Sequence, residues 1–430
     1  METICVIGLW HLGLVNSVGF ATKGYKVIGL DFDKTLIKQL RRGKSPIFEP
    51  GLKDYIVKFL KKRTLRFETD EKCISFADYV VIAYDCPINE KDEVSISPVV
   101  KAAKKIAQFV KRSTPVIITS QIPLGTSEKI ESLIKSLNKE WQGGVVYTPE
   151  NLRLGDAINC FLHPDMIVLG VPNNQVKERV LELYKRIDSP KITISLRSAE
   201  MVKHALNTFL ATSITFGNEI ALLCERLGVD AVEVGQALKM DKRVGMSPIF
   251  PGLGFSGGTL ARDVGQLRKF ARSVGYSSYL LEAIVKINEA TFDWIITKLT
   301  DKLGRLQDKK IGILGLTYKP GTSTMRQSPA IKIIKKLLAA KAYCLAYDPK
   351  VNLQELRSYP FIKRVKNIID LAKNCDALVL LTQWPEFKEL DYAKMASIMK
   401  KPIIIDAKNF LEPKKLIKSG FEYEGFGRRL

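Results

Sequence analysis

The sequence is poor in histidine, and its cysteines are not paired. Its 430 residues include three histidines and seven cysteines, and the cysteines are scattered without a CxxC pair. Metal sites of the zinc type need several cysteine or histidine ligands at short spacing, so no metal is predicted. Disulfide frameworks are typical of small, cysteine-dense secreted domains, so the scattered cysteines are expected to be buried free thiols.

Long apolar runs are also lacking. No segment reaches the roughly 20 consecutive apolar residues that a membrane-spanning helix requires. The first residues read METICVIGLW, without a basic segment followed by an apolar segment and a cleavage site. We therefore expect a cytoplasmic protein with no membrane partner. A chain of 430 residues with 46% hydrophobic and 26% charged residues is expected to form two or three domains with cores of their own.

Acidic residues are outnumbered by basic ones. The chain has 67 lysines and arginines against 45 aspartates and glutamates, a formal net charge of +22. Such a balance favours anionic partners, and a phosphate-bearing cofactor and substrate would account for a small part of it. Basic clusters such as 61–63 and 400–401 carry no aromatic interleaving and no recognised binding motif. A solvated basic surface is therefore predicted, and nucleic acid is not an expected partner.

Two kinds of apolar pattern follow one another along the chain. Short β-branched runs alternate with helical stretches at first, which predicts a parallel sheet with crossover helices. These runs are Ile4 to Ile7, Val27 to Leu30, Tyr79 to Ala83, Val116 to Thr119, Val145 to Thr148 and Met166 to Leu169. Between Ser198 and Gly228, apolar residues recur at helical spacing without a proline, which predicts one long helix. The sheet pattern returns at Ile311 to Leu316 and in three later runs, which are Ala342 to Ala346, Ala377 to Leu381 and Ile403 to Ile405.

The order of these patterns predicts an α/β protein. Two Rossmann-like parallel-sheet domains are expected, joined by a helical central domain with one long helix. The predicted boundaries are 1–195 for the N-terminal domain, 196–304 for the central domain and 305–430 for the C-terminal domain.

A glycine-containing loop follows the first predicted strand. Its sequence is GLWHLG, and an acidic residue, Asp31, ends the second predicted strand. This context is typical of dinucleotide binding, and the carboxylate favours NAD over NADP because it accepts ribose hydroxyls and repels a 2′-phosphate. Trp10 replaces the middle glycine, so the loop alone is as typical of an ordinary strand-turn-helix junction. The candidate cofactor residues here are Gly8, Trp10, His11, Leu12, Gly13 and Asp31.

Further motifs extend through the rest of the chain. They read GKSPIFEPGL, YTPENLRLGDAI, AEMVKHALNTFLATSITFGNEIA, PGLGFSGGTLARDV and GLTYKPGTSTMRQSPA. In this order they resemble the UDP-glucose/GDP-mannose dehydrogenase family over nearly the whole chain. The resemblance implies NAD-dependent oxidation of a nucleotide-sugar in polysaccharide precursor synthesis, with UDP-glucose or a related UDP-hexose as the expected substrate. It also implies an N-terminal NAD domain, a C-terminal nucleotide-sugar domain and a homodimer formed through the central helix.

The resemblance assigns roles to particular residues. The implied catalytic residues are Glu150, Lys203, Asn207, Thr259 and Asp263. The implied additional cofactor residues are Cys86, Pro87, Gln121 and Arg326. The implied substrate residues are Asn151, Leu152, Arg153, Arg243, Gly252, Gly254, Phe255, Tyr318, Lys319 and Lys408. Lys408 replaces a family arginine, Arg243 matches one contributed across a dimer interface, and the backbone amides around Phe255 are expected to wrap a diphosphate.

One departure bears on the reaction. Thr259 stands where the family carries the cysteine that forms a thioester during the second oxidation. A hydroxyl is far less acidic than a thiol, whose reference pKa is about 8.5, so Thr259 is not expected to replace it efficiently. Two alternatives therefore remain open: a two-electron oxidoreductase that stops at an aldehyde or ketone, and a non-catalytic protein that binds a nucleotide-sugar.

Overall fold

The computed structural model describes residues 1–87, 94–149, 152–256 and 259–428. Its contacts divide the chain into two compact units, Met1–Ala205 and Leu206–Leu430, called the N-terminal and C-terminal units below. The predicted helical middle falls mostly within the second unit. The three predicted domain boundaries stay a prediction.

The N-terminal unit is built around one sheet. Its strands are β1 Thr3–Ile7, β2 Lys26–Leu30, β3 Leu65–Glu68, β4 Tyr79–Ile82, β5 Val116–Ile118, β6 Val145–Tyr147, β7 Ile167–Gly170 and β8 Lys191–Ile194. Its helices are α1 His11–Thr22, α2 Lys34–Arg41, α3 Leu52–Lys61, α4 Ser97–Phe109, α5 Thr126–Leu137, α6 Ala157–Leu162 and α7 Asn174–Tyr184, with a 3₁₀ helix at Glu71–Phe76. The strand order is β3-β2-β1-β4-β5-β6-β7-β8, and the pairs are parallel except for β6 with β7.

The strands at the centre of this sheet explain the apolar runs in the sequence. Residues 4–7 of β1 and all of β4 are buried, as expected when helices cover both faces of a parallel sheet. Because β2, β1, β4 and β5 are parallel neighbours, the loops at their carboxyl ends share one edge. That edge is where an open α/β sheet binds its ligand.

A long helix, α8 Leu196–Leu227, begins in the N-terminal unit and continues into the C-terminal unit. It confirms the predicted helix. Gly228, with a φ of 73°, follows its last residue, where the left-handed conformation favours glycine. Three further helices follow, which are α9 Ala231–Met240, α10 Leu260–Ser273 and α11 Tyr279–Leu303.

The C-terminal unit contains a second sheet, in which every pair is parallel. Its strands are β9 Lys310–Leu314, β10 Tyr343–Tyr347, β11 Lys363–Arg364, β12 Ala377–Leu380, β13 Ile403–Asp406 and β14 Glu422–Gly425. Its helices are α12 Pro329–Ala339, α13 Leu353–Leu356, α14 Ile368–Ala372, α15 Tyr392–Ile398 and α16 Pro413–Lys418, with a 3₁₀ helix at Pro385–Glu389. The order β11-β10-β9-β12-β13-β14 repeats the 3-2-1-4-5-6 arrangement of the first six strands of the other sheet. Both sheets therefore have the Rossmann order, and the predicted fold class is confirmed.

The cysteines are free thiols, which confirms that prediction. Six are buried, and Cys160 is half-buried. Over the ranges that the structure describes, no helix is both long and apolar enough to cross a bilayer.

Candidate active site

The loop after β1 has the shape that a dinucleotide needs. A Cβ placed on Gly13 would lie 1.7 Å from the carbonyl oxygen of Gly8, so only glycine lets α1 start this close to the strand. Gly8 has a φ of 92°, and the ring of Tyr84 packs over it. Trp10 precedes α1, and its side chain is half exposed rather than folded into the loop. The amides of the first turn of α1 have no helical acceptor and suit a pyrophosphate.

Asp31 directly follows β2 and forms a hydrogen bond with the segment that follows β1. Its Oδ2 accepts a hydrogen bond from the Leu9 amide at 2.8 Å, and its Oδ1 accepts one from the Asp33 amide at 3.1 Å. Carboxylate oxygens can each accept more than one hydrogen bond, so the group can still receive ribose hydroxyls. These residues fit NAD.

The other N-terminal cofactor candidates follow neighbouring strands. Cys86 is buried and Pro87 is exposed in the loop after β4, while half-buried Gln121 follows β5. These loops lie at the carboxyl edge that also carries Gly8 and Asp31. The structure therefore brings the predicted N-terminal cofactor residues to one edge of the first sheet.

The start of α8 contacts the segment that follows Gln121. The Glu200 carboxylate accepts hydrogen bonds from the amides of Gly125, at 2.5 Å, and Ser127, at 2.8 Å. His204 lies 3.3 Å from the carbonyl oxygen of Ile122 through its Nε2. Lys203, between them, is buried. The candidate catalytic lysine is thus on a helix turn that is anchored on both sides.

Two candidate catalytic side chains meet in the C-terminal unit. Asn207 Nδ2 donates to Asp263 Oδ2 at 2.5 Å, and both residues are buried. Asp263 lies in the first turn of α10, where the helix dipole favours a negative charge. Exposed Thr259 immediately precedes this helix, so the hydroxyl and the Asp263 carboxylate stand at the same helix start. An acceptor beside an amide can hold a water or an alcohol.

The loop 251–255 is held by side chains from other elements. Asn218 Oδ1 accepts a hydrogen bond from the Gly252 amide at 3.1 Å, and Thr291 Oγ1 accepts one from the Gly254 amide at 3.0 Å. Asn288 Nδ2 donates to the Phe255 carbonyl at 3.1 Å. The Leu253 amide donates to the Ala407 carbonyl at 2.5 Å. A Cβ on Gly254 would lie 2.3 Å from Asn288 Oδ1, which requires glycine there.

This arrangement limits which amides of the loop can bind an anion. The backbone amides around Phe255 were expected to wrap a diphosphate, but those of Gly252, Leu253 and Gly254 each donate to an acceptor within the protein. Gly257 and Gly258 of the same loop lie outside the described residues. Phe255 is buried. The glycines allow close packing of the loop against α11 and the end of β13, and these three amides are not available to an anion.

Lys408 lies against the same loop. Its Nζ donates to the Leu253 carbonyl at 3.3 Å. Burial lowers the pKa of Lys408 to about 8, while the nearby Asp406 carboxylate opposes that shift. Burial also raises the pKa of Asp406, whose Oδ2 accepts from the amides of Phe410 and Leu411 and from the Tyr423 hydroxyl.

The remaining candidates belong to several segments, each with its own surroundings. Tyr318 and Lys319 are half-buried after β9, and burial raises the pKa of Tyr318. Arg326 is exposed, and Arg243 pairs with Asp241 at 2.5 Å. In the N-terminal unit, Leu152 is half-buried and packs against the core, and Arg153 is exposed, with its Nη2 3.9 Å from Asp165 Oδ2. Glu150 and Asn151 lie outside the described residues.

Sequence reasoning missed Asp348. It follows β10 as Asp31 follows β2, and its Oδ2 accepts from the amides of Leu316 and Thr317 at 2.8 and 2.9 Å. Asp348 could have been predicted from the sequence, because it directly follows the second strand of its Rossmann domain, as Asp31 does in the other. Asn218, Asn288 and Thr291 were also missed, although polar residues within apolar helical stretches could have marked them.

Known proteins match the whole chain. Models of the UDP-glucose/GDP-mannose dehydrogenase family match residues 2–188 as its NAD binding domain, 197–290 as its central domain and 312–413 as its UDP binding domain. UDP-glucose 6-dehydrogenase TuaD of Bacillus subtilis (strain 168) is 34% identical over 432 residues, covering 100% of this chain and 94% of that protein.

Solved structures of nucleotide-sugar dehydrogenases also superpose on the chain. A UDP-glucose dehydrogenase from Pyrobaculum islandicum superposes with a TM-score of 0.90 at 30% identity, over 100% of this chain and 98% of the other. A UDP-D-ManNAc dehydrogenase from Pyrococcus horikoshii gives a TM-score of 0.88 at 27% identity, over 99% of both chains.

The two Rossmann domains, the NAD loop and these matches define an NAD-dependent nucleotide-sugar dehydrogenase. The chain belongs to the UDP-glucose/GDP-mannose dehydrogenase family, which confirms the resemblance seen in the sequence. The comparisons do not favour the non-catalytic alternative or the two-electron alternative.

Proposed function

We propose that this enzyme oxidises the primary alcohol of a UDP-hexose, with UDP-glucose as the first candidate, in the synthesis of polysaccharide precursors. The buried pair of Asn207 and Asp263, at the helix start that follows Thr259, carries the proposal. UDP-glucose dehydrogenases that match along the full chain support the choice of sugar. Free thiols throughout the chain support a reducing, cytoplasmic location.

The proposed roles follow from the chemistry of the side chains. NAD, when bound, accepts the hydride from the alcohol carbon. Asp263 holds a water that takes up the hydroxyl proton, and Asn207 orients that water through the same hydrogen-bonded pair. Lys203 supplies positive charge that stabilises the developing alkoxide. Glu150 is the remaining proposed catalytic residue, and Asn151, Leu152 and Arg153 are proposed to contact the sugar.

A screen of nucleotide-sugars tests the substrate. Purified protein is mixed with UDP-, GDP- and dTDP-hexoses and with NAD or NADP, and the reduced cofactor is followed by absorbance. We expect turnover with a UDP-hexose and NAD, and little with NADP because Asp31 repels its 2′-phosphate. Turnover with GDP-mannose alone would refute the choice of UDP.

The enzyme is also proposed to act as a homodimer through α8. Four large apolar side chains on this helix are exposed: Phe209, Phe216, Leu223 and Leu227. They follow one another at intervals of seven, seven and four residues, so they form one stripe along the helix. Exposed stripes of this kind mark interaction surfaces, and a second copy of the same helix offers a matching stripe.

A further inference from the structure

The motif GKSPIFEPGL contains a glutamate with no role in the chemistry above. Glu49 is 4% exposed, so its carboxylate is buried. Three groups surround it: His11 Nε2 lies 2.8 Å from Oε2, the Gly155 amide donates to Oε2 at 3.0 Å, and the Ala157 amide donates to Oε1 at 2.9 Å. One carboxylate therefore joins three segments that are distant in sequence.

The joined segments have different tasks. His11 is the first residue of α1, at the turn whose amides suit the NAD pyrophosphate. Gly155 and Ala157 end the segment that begins with the candidate sugar contacts Leu152 and Arg153. Glu49 itself lies three residues before α3, and the amide of Leu52, the first residue of that helix, donates to its carbonyl.

We propose that Glu49 is a positioning residue that couples NAD binding to the order of the segment 152–157. Its link to the sugar rests on the proposed function, whereas its link to NAD does not. A carboxylate can only accept hydrogen bonds, so His11 donates through Nε2 and the ring is fixed at the start of α1. Breaking the hydrogen bonds between Glu49 and the amides of Gly155 and Ala157 then disturbs the loop after β1, where NAD is expected to bind. Bound NAD therefore opposes the breaking of these hydrogen bonds.

Amide hydrogen exchange of the full chain, with and without NAD, tests this coupling. In the wild-type protein, NAD is expected to slow exchange at Gly155 and Ala157 by about tenfold or more. At an NAD concentration of about 100 times the Kd, mass action limits the slowing to roughly hundredfold. An unchanged exchange rate at both amides would overturn the proposal. The measurement uses NAD alone, so its result does not depend on the identity of the sugar.

Two variants separate coupling from simple structural support. His11→Phe keeps Glu49 and both of its amide donors, so exchange without NAD should stay near the wild-type rate. At an NAD concentration that gives wild-type occupancy by calorimetry, NAD should no longer slow exchange at the two amides. In Glu49→Gln, the amide nitrogen must face either Gly155 or Ala157, because the two backbone donors address different oxygens. At least one of these amides should then exchange rapidly with or without NAD.

Glu200→Gln is the matched control, since Glu200 is also buried and also accepts two backbone hydrogen bonds. It should speed exchange at Gly125 and Ser127 and leave the effect of NAD at Gly155 and Ala157 in place. The proposal is overturned if NAD slows exchange at those two amides in His11→Phe as strongly as in the wild type, when calorimetry shows equal occupancy.

Discussion

At the scale of single residues, Lys408 is predicted to make nucleotide-sugar binding depend on pH. Because burial lowers its pKa to about 8, the ammonium loses its proton as the pH rises through that value, and its attraction for the substrate diphosphate is lost. Affinity for UDP-glucose, measured by calorimetry, should fall above pH 8 by up to about tenfold per pH unit.

Lys408→Arg is the control for that titration, since an arginine stays charged across the range. Its affinity should remain flat where the wild-type affinity falls. The same decline in both proteins would assign the titration to another group.

Individual site residues were easier to predict from the sequence than their hydrogen-bond partners. Asp31, Asn207 and Asp263 were all predicted as site residues, and Asn207 and Asp263 are in direct contact. Trp10 looked unfavourable at a glycine position, and the structure shows its side chain half exposed. A motif gives the residue type at a position, whereas the direction of a side chain depends on packing from distant segments.

At the scale of elements, the strands that sequence analysis missed are those at the sheet edges. β3 and β8 are the edges of the first sheet, and β11 and β14 are the edges of the second. Interior strands are covered on both faces and read as apolar runs, while the edges carry charged residues such as Arg66 and Lys363. Edge strands were therefore indistinguishable from loops.

The loop 251–255 depends on α11 for its conformation. Thr291→Val removes the hydroxyl that accepts from the buried Gly254 amide, so an unsatisfied donor should lower the free energy of unfolding by about 1–3 kcal/mol. The KM for the nucleotide-sugar should rise as the loop loosens. Urea unfolding and steady-state kinetics provide the two readings.

Thr297→Val, on the same helix, is the comparison. The Thr297 hydroxyl is exposed and donates only to the carbonyl of its own helix, at Asp293. Its loss should change the unfolding free energy by no more than about 0.5 kcal/mol. Equal destabilisation by the two variants would contradict the role given to Thr291.

At the scale of the whole molecule, the order of motifs along the sequence was sufficient to predict the fold and the family. The fold was predictable because both Rossmann domains have the same strand arrangement. The sequence could not show which backbone amides donate hydrogen bonds to acceptors within the protein. The amides of Gly252 and Gly254 bind Asn218 and Thr291, and such long-range contacts leave no local pattern.

The apolar stripe on α8 predicts the assembly. Wild-type protein should have a mass near twice 48.3 kDa by light scattering. Phe216→Glu places a charge in the stripe and should yield monomers, because burying an unpaired charge is costly. Phe76→Glu, at another exposed phenylalanine, should leave the dimer intact. A monomeric wild type would contradict the proposed dimer.

The yield of NADH per UDP-glucose, with the product identified by NMR, tests the proposed reaction most directly. Thr259 cannot form a thioester, so the wild type should give about one equivalent of NADH rapidly and the second slowly, while Thr259→Cys should speed the second. Absence of NADH with every UDP-hexose tested, despite binding of both NAD and sugar, would contradict the proposed oxidation.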